Sequence, residues 1–188
     1  MKFFGVIMMM GLATTGFANP TQSVTVCLSG AREKYVSAST KMASEIFATA
    51  GVEIDWRDAG DCPSSSNVIK VTFSFYVRAD YRPGALAYAL PFEGTTINIF
   101  YNRIANRAPG WTPQLLAYVL VHELTHILQG ATHHSGEGIM KALWSNEEFN
   151  AMRTKSLGFA AEDVQMIDLG FQARVRRAAG QRTEIATR

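Results

Sequence analysis

The sequence predicts an α+β fold, a twisted mixed β-sheet packed on a layer of helices. Three observations predict it. Segments with a two-residue apolar period dominate the chain up to Tyr101. Segments with a helical period take over from Thr112 onward, and a single helix, Ala31 to Ala50, lies among the strands. The chain has 188 residues, 47% apolar and 18% charged, the size and make-up of one globular domain.

Val24 to Leu28 alternates and reads as the first strand. In Ala31 to Ala50, Tyr35, Met42, Ile46 and Phe47 share a helix face, and Gly51 supplies a stop. Val52 to Trp56 is a second strand. Asp61, Pro63 and Ser64 to Ser66 make a loop. Val68 to Val77 reads as a long strand, with Ile69, Val71, Phe73, Phe75 and Val77 on one face. Arg82, Pro83 and Gly84 turn the chain, and Leu86 to Leu90 and Thr96 to Tyr101 give two more strands. Thr112 is the expected N-cap of a helix with Pro113 at its first position, where the missing N–H costs nothing. That helix runs to Gln129, stops at Gly130 and is apolar nearly all round, so it is buried. Asn146 to Lys155 and Glu162 to Arg177 are the C-terminal helices. No internal repeat or linker divides the chain.

The first residues address the protein. Lys2 is followed by an apolar run from Phe3 to Leu12, and then by Gly16 and Ala18, small residues suited to a cleavage site. This is the layout of a secretory signal peptide, residues 1–18, and the run is too short to span a bilayer. Residues 19–188 then form one domain, secreted or periplasmic, with no membrane anchor after cleavage. Loss of Lys2 leaves 17 basic against 16 acidic residues, a net charge of +1. Cys27 and Cys62 both lie in the exported part and are expected to form a disulfide there. Such balance excludes a strongly basic nucleic-acid binder. The one basic cluster, Arg174, Arg176 and Arg177 with Arg182 and Arg188 beyond, reads as a solvated helix end and tail.

Chemistry enters inside the buried helix, at His122-Glu123-Leu124-Thr125-His126. Histidines four apart share a helix face, so both imidazoles can reach one ion. Zinc takes nitrogen ligands at about 2.0–2.1 Å, and a catalytic site keeps three protein ligands and leaves one position for water. Glu123, beside the first histidine, is placed to act on that water as general base without being a ligand. A third ligand is needed, and all four histidines of the chain fall between positions 122 and 134. Gly130 lets the chain bend after the helix, so that His133 or His134 can approach the ion.

The stretch His122 to Met140 resembles the metzincin zinc metallopeptidases, whose signature is HExxHxxGxxH followed by a tight turn carrying a methionine. Gly130 comes one residue later than the clan's glycine. The glycine-to-histidine spacing favours His133; Ser135 and the short step to Gly138-Ile139-Met140 favour His134, the expected third ligand. A group of small exported bacterial proteins has a similar HExxH, G, HS, GIM pattern. The resemblance implies a zincin-like fold with a buried active-site helix, one catalytic zinc on His122, His126 and His134, Glu123 as general base and a peptide or protein substrate. It implies Met140 as an apolar base beneath the metal and an edge strand, Leu86 to Leu90, that binds extended substrate. No tyrosine follows Met140, so a tyrosine role could fall only to Tyr88 or Tyr101. A rival zincin reading takes Glu147, in Asn146-Glu147-Glu148, as third ligand. A different class of function is a zinc-binding module of the cell envelope without turnover.

Overall fold

The computed structural model describes residues 22–30, 34–64, 68–77, 81–89 and 95–186, with side chains to Arg177. The expected export segment lies outside the described residues. Among the described residues five strands form one sheet in the order β2-β1-β3-β5-β4. They are β1 (Gln22–Ser29), β2 (Val52–Asp58), β3 (Ile69–Ser74), β4 (Ala87–Ala89) and β5 (Thr96–Phe100). The first four neighbours in that order run parallel; β4 is antiparallel to β5 and forms the edge. A mixed sheet with helices is the architecture the alternating segments predict.

One face of the sheet is buried and the other is polar, which is why its strands alternate despite being mostly parallel. Val24, Val26, Ile69, Val71 and Phe73 point into the core, while Ser23, Lys70 and Thr72 do not. Helix α1 (Val36–Ala48) contacts β2, and helix α3 (Thr112–Gln129) contacts β4 and β5. The two helices pack side by side, so that together they cover the apolar face. Met42 and Phe47 of α1 are buried, and Tyr35 and Ile46 pack against the same core. The disulfide Cys27–Cys62 joins β1 to the segment after β2, with a sequence separation of 35 residues. Closing a loop of that size stabilises by roughly 3–4 kcal/mol in the chain-entropy view.

The elements depart from expectation at three places. The third strand ends at Ser74, and Phe75, expected on the buried face, is 38% exposed. Tyr101 ends no strand: it starts a short helix, α2 (Tyr101–Arg107), which the β-rich run before it conceals. Thr112 is the first residue of α3, not its N-cap; Trp111 holds that place, and the Thr112 hydroxyl donates back to Ala108 O at 2.7 Å. The helices α4 (Asn146–Arg153) and α5 (Ala161–Ala186) follow. Residue Gly170 of α5 lies against α3 so closely that a Cβ there would sit 1.9 Å from Leu128 O. That contact sets the distance between the two helices. Among the described residues no helix is long and apolar enough to cross a membrane.

Candidate metal centre

The centre is built from the end of α3 and the loop after it. Gly130 adopts φ +65° and receives no strain for it, and its N–H donates to His126 O at 2.9 Å. The helix therefore stops one turn after His126 and the chain doubles back. Helical spacing puts His122 and His126 on one face, and the returning loop brings His134 to them. Their ligand atoms all lie within 4.8 Å of one another. The His134 ring centroid is 5.3 Å from that of His122 and 4.8 Å from that of His126. His133 points elsewhere: its Nε2 is 3.9 Å from Glu162 Oε1. Glu147 is exposed in the first turn of α4 and is not among the grouped residues. Tyr88 packs on Tyr81, and buried Tyr101 packs on Phe75.

Two backbone carbonyls orient the helical histidines. Nδ1 of His122 lies 2.9 Å from Ile139 O, and Nδ1 of His126 lies 3.1 Å from Ala131 O. A carbonyl oxygen only accepts, so each Nδ1 carries the hydrogen. Burial, with the His126 charge beside it, pushes the His122 imidazole down to about 3. Burial, with His134 next, pushes His126 down to about 4. Both rings are thus neutral at neutral pH, and each Nε2 is a bare lone pair. The two Nε2 atoms face each other at 3.1 Å. Two acceptors with no proton between them repel, and a shared cation removes that repulsion. Two nitrogens on one tetrahedral zinc, each at about 2.0–2.1 Å, would be roughly 3.3–3.4 Å apart. The donor set therefore fits zinc: three imidazoles, two of them held in the required tautomer by backbone oxygens.

The loop that carries His134 is fixed from several sides. Ser135 N donates to Met140 O at 3.1 Å, and the Ser135 hydroxyl donates to the buried Asp163 carboxylate at the start of α5. Asp163 also accepts from Ala160 N at 3.2 Å. Gly138 has φ +71°, and a Cβ there would meet Gly158 O at 2.7 Å, so the turn before Met140 requires glycine. Met140 is fully buried. Trp144 donates from Nε1 to Ile139 O at 3.0 Å and stands edge-on to His122, centroids 5.3 Å apart. One carbonyl thus accepts from both a histidine and a tryptophan.

Sequence reasoning missed Asp163, Trp144 and the Lys141–Glu148 pair. Only the last carries a local signal: Ser145 and Glu148 have the spacing of a capping box, and α4 has one.

Glu123 stands on α3 next to His122 and, with it, lines a cleft of about 840 Å³. Burial pushes its carboxyl up to about 7. Leu86 and Ala87 form one side of this cleft, Lys141 to Trp144 another.

No protein-family pattern matches the chain, and no curated protein matches it in sequence. A crystal structure of archaemetzincin from Methanopyrus kandleri matches with a TM-score of 0.54 at 15% identity, over 86% of this chain and 99% of that one. The chain shares the fold of that structure, a zincin-like α+β arrangement. A structure of myroilysin aligns with a TM-score of 0.38 at 18% identity, over 78% of this chain and 66% of that one, too loosely to add to the comparison. A zincin-like α+β fold is the arrangement that the resemblance of His122 to Met140 implied.

Proposed function

We propose that the chain is a secreted zinc-dependent endopeptidase, with residues 1–18 an export signal and residues 19–188 the mature domain. The observation that carries the reading is the pair of bare Nε2 atoms at 3.1 Å, with a third imidazole beside them and a carboxyl adjacent in the same cleft. His122, His126 and His134 would hold zinc. A zinc ion held by these three imidazoles would supply Lewis acidity and lower the pKa of a water bound to it. Glu123 accepts the proton of the attacking water and passes it to the leaving amine. A carboxyl raised toward neutrality suits both halves of that task. Extended substrate adds to the edge strand β4 by backbone pairing, which presents the scissile bond to Glu123. Met140 gives the histidines an apolar floor. The disulfide is compatible with an oxidising, extracytoplasmic compartment.

Metal analysis and proteolysis of purified protein test the reading. About one zinc per chain and cleavage of an unfolded protein are expected. Glu123→Ala keeps the zinc and loses cleavage. His122→Ala and His134→Ala lose zinc, since two imidazoles bind weakly, and His133→Ala retains it. Full zinc in His122→Ala overturns the metal site. Zinc without cleavage leaves a binding module without turnover.

A further inference from the structure

The cleft beside Glu123 has a charge that the chain as a whole does not. The protein is close to neutral at +2, yet among the described residues the cleft lining holds Arg82, Arg103, Arg107 and Lys141 against a single acid, Glu123. Lys141 is already compensated, with its Nζ 2.6 Å from Glu148 Oε1. The three arginines are not: among the described residues none of them pairs with a carboxylate. Arg103 is held in place by neutral partners, donating to Arg82 O at 2.9 Å and Ala85 O at 2.8 Å, so it fixes the 82–85 turn while keeping its full charge. Arg103 and Arg107 are four residues apart on α2, on one face of that helix.

Aromatic contacts set the position of Arg107. Its guanidinium lies 5.0 Å from the centroid of the Phe149 ring; Phe149 is 6.4 Å from Trp144, and Trp144 is 5.3 Å from His122. The ring is no hydrogen-bond acceptor of the ordinary kind, so the N–H groups of Arg107 keep their capacity to grip a carboxylate in a fork. Arg82 and Arg107 are exposed at the cleft, with no other polar partner for their side chains among the described residues. Like charges gathered around one concave surface repel one another, and an anion between them turns that cost into binding.

We infer that this cleft selects substrates carrying a carboxylate near the scissile bond, an acidic side chain of the peptide bound between Arg107 and Arg82. The inference rests on the cleft being the peptide-binding one. A chain-terminal carboxylate has the same chemistry, and amidated peptides separate the two sources.

Binding is measured by fluorescence anisotropy with zinc-loaded Glu123→Gln protein, which removes turnover from the readout. The probes are short fluorescein-labelled, C-terminally amidated peptides in which one Glu is moved along the sequence, with matched Gln peptides. At one position Glu should bind roughly tenfold tighter than Gln, the value of one charge-assisted contact. Adding Arg107→Gln or Arg82→Gln should bring the ratio to near one, and Arg107→Glu should turn the preference toward Lys. Equal binding of Glu and Gln peptides at every position overturns the inference, as does a Glu preference that survives both arginine variants. A preference seen only with free C-termini also overturns it, in favour of chain-end recognition. Cleavage of the same peptides by the wild-type protein reads the peptidase assignment separately. If neither series is cut, that assignment fails while the binding ratio still decides the charge preference.

Discussion

The two halves of the histidine cluster are built by different means. His122 and His126 are placed by α3, an element whose limits, buried face and spacing are all local properties of Thr112 to Gly130. His134 is placed by a loop whose shape depends on residues far along the chain: Asp163 on the Ser135 hydroxyl, and Gly158, whose carbonyl accepts from Ile139 N at 3.0 Å. The helix is a rigid reference, and the loop is adjusted to it through α5. Changes to the α3–α5 seam should therefore disturb everything, and changes to the loop should move the third imidazole while leaving the helix intact.

Gly170→Ala tests the seam and should have the largest effect. The new Cβ would lie 1.9 Å from Leu128 O and 3.1 Å from Gln129 Cα, both backbone atoms that no rotamer change can move. Alanine gains up to about 1 kcal/mol of helix propensity over glycine, but forced separation of two packed helices costs about 3 kcal/mol. Thermal unfolding followed by circular dichroism should show a clear fall in Tm. An unchanged or higher Tm would mean that the helices are free to separate, and that α5 does not position the loop.

Legibility in the sequence divides along the same line. The strands β1, β2 and β5 and the helices α1 and α3 follow from periodicity because each buries one face of a regular element. The HExxH pair follows from helical spacing alone. The choice between His133 and His134 does not, since either can follow a bend after Gly130 back toward His122 and His126. Where the loop sends each ring depends on Ser135 bonding to a carboxylate 28 residues away. The short helix α2 is hidden because the two-residue period of Ile97 and Ile99 carries on to Tyr101 and reads as strand. With α2 hidden, the basic face of Arg103 and Arg107 could not be seen either.

Ser135→Ala tests the loop and should have a middling effect. It removes the hydroxyl that donates to Asp163 Oδ1, leaving a fully buried carboxylate oxygen short of a partner. An unmet buried acceptor costs about 1–3 kcal/mol. Zinc affinity should fall roughly tenfold, the lower end of what second-layer partners contribute, with helix content unchanged. Competition with a fluorescent chelator would measure it. Unaltered zinc affinity, with only Tm reduced, would mean that His134 does not need this tether.

Glu148→Gln should have the smallest effect, and pH reveals it. The carboxyl is held down to about 2, against an ordinary value of 4.5, first by Lys141 Nζ and then by Ser145. A depressed carboxyl binds fewer protons in the folded chain than in the unfolded one. Its contribution is therefore complete above the unfolded value and disappears as pH falls from about 4.5 toward 2. Glutamine keeps an oxygen for Ser145 N, so the capping box survives and only the ionic part is lost. The variant should be slightly less stable than wild type at pH 7, and the two unfolding curves should converge as pH drops below 4.5. A difference that persists unchanged at the acid end would place the role of Glu148 in its shape and packing, and would remove the charge of Lys141 from the list of those already neutralised beside the cleft.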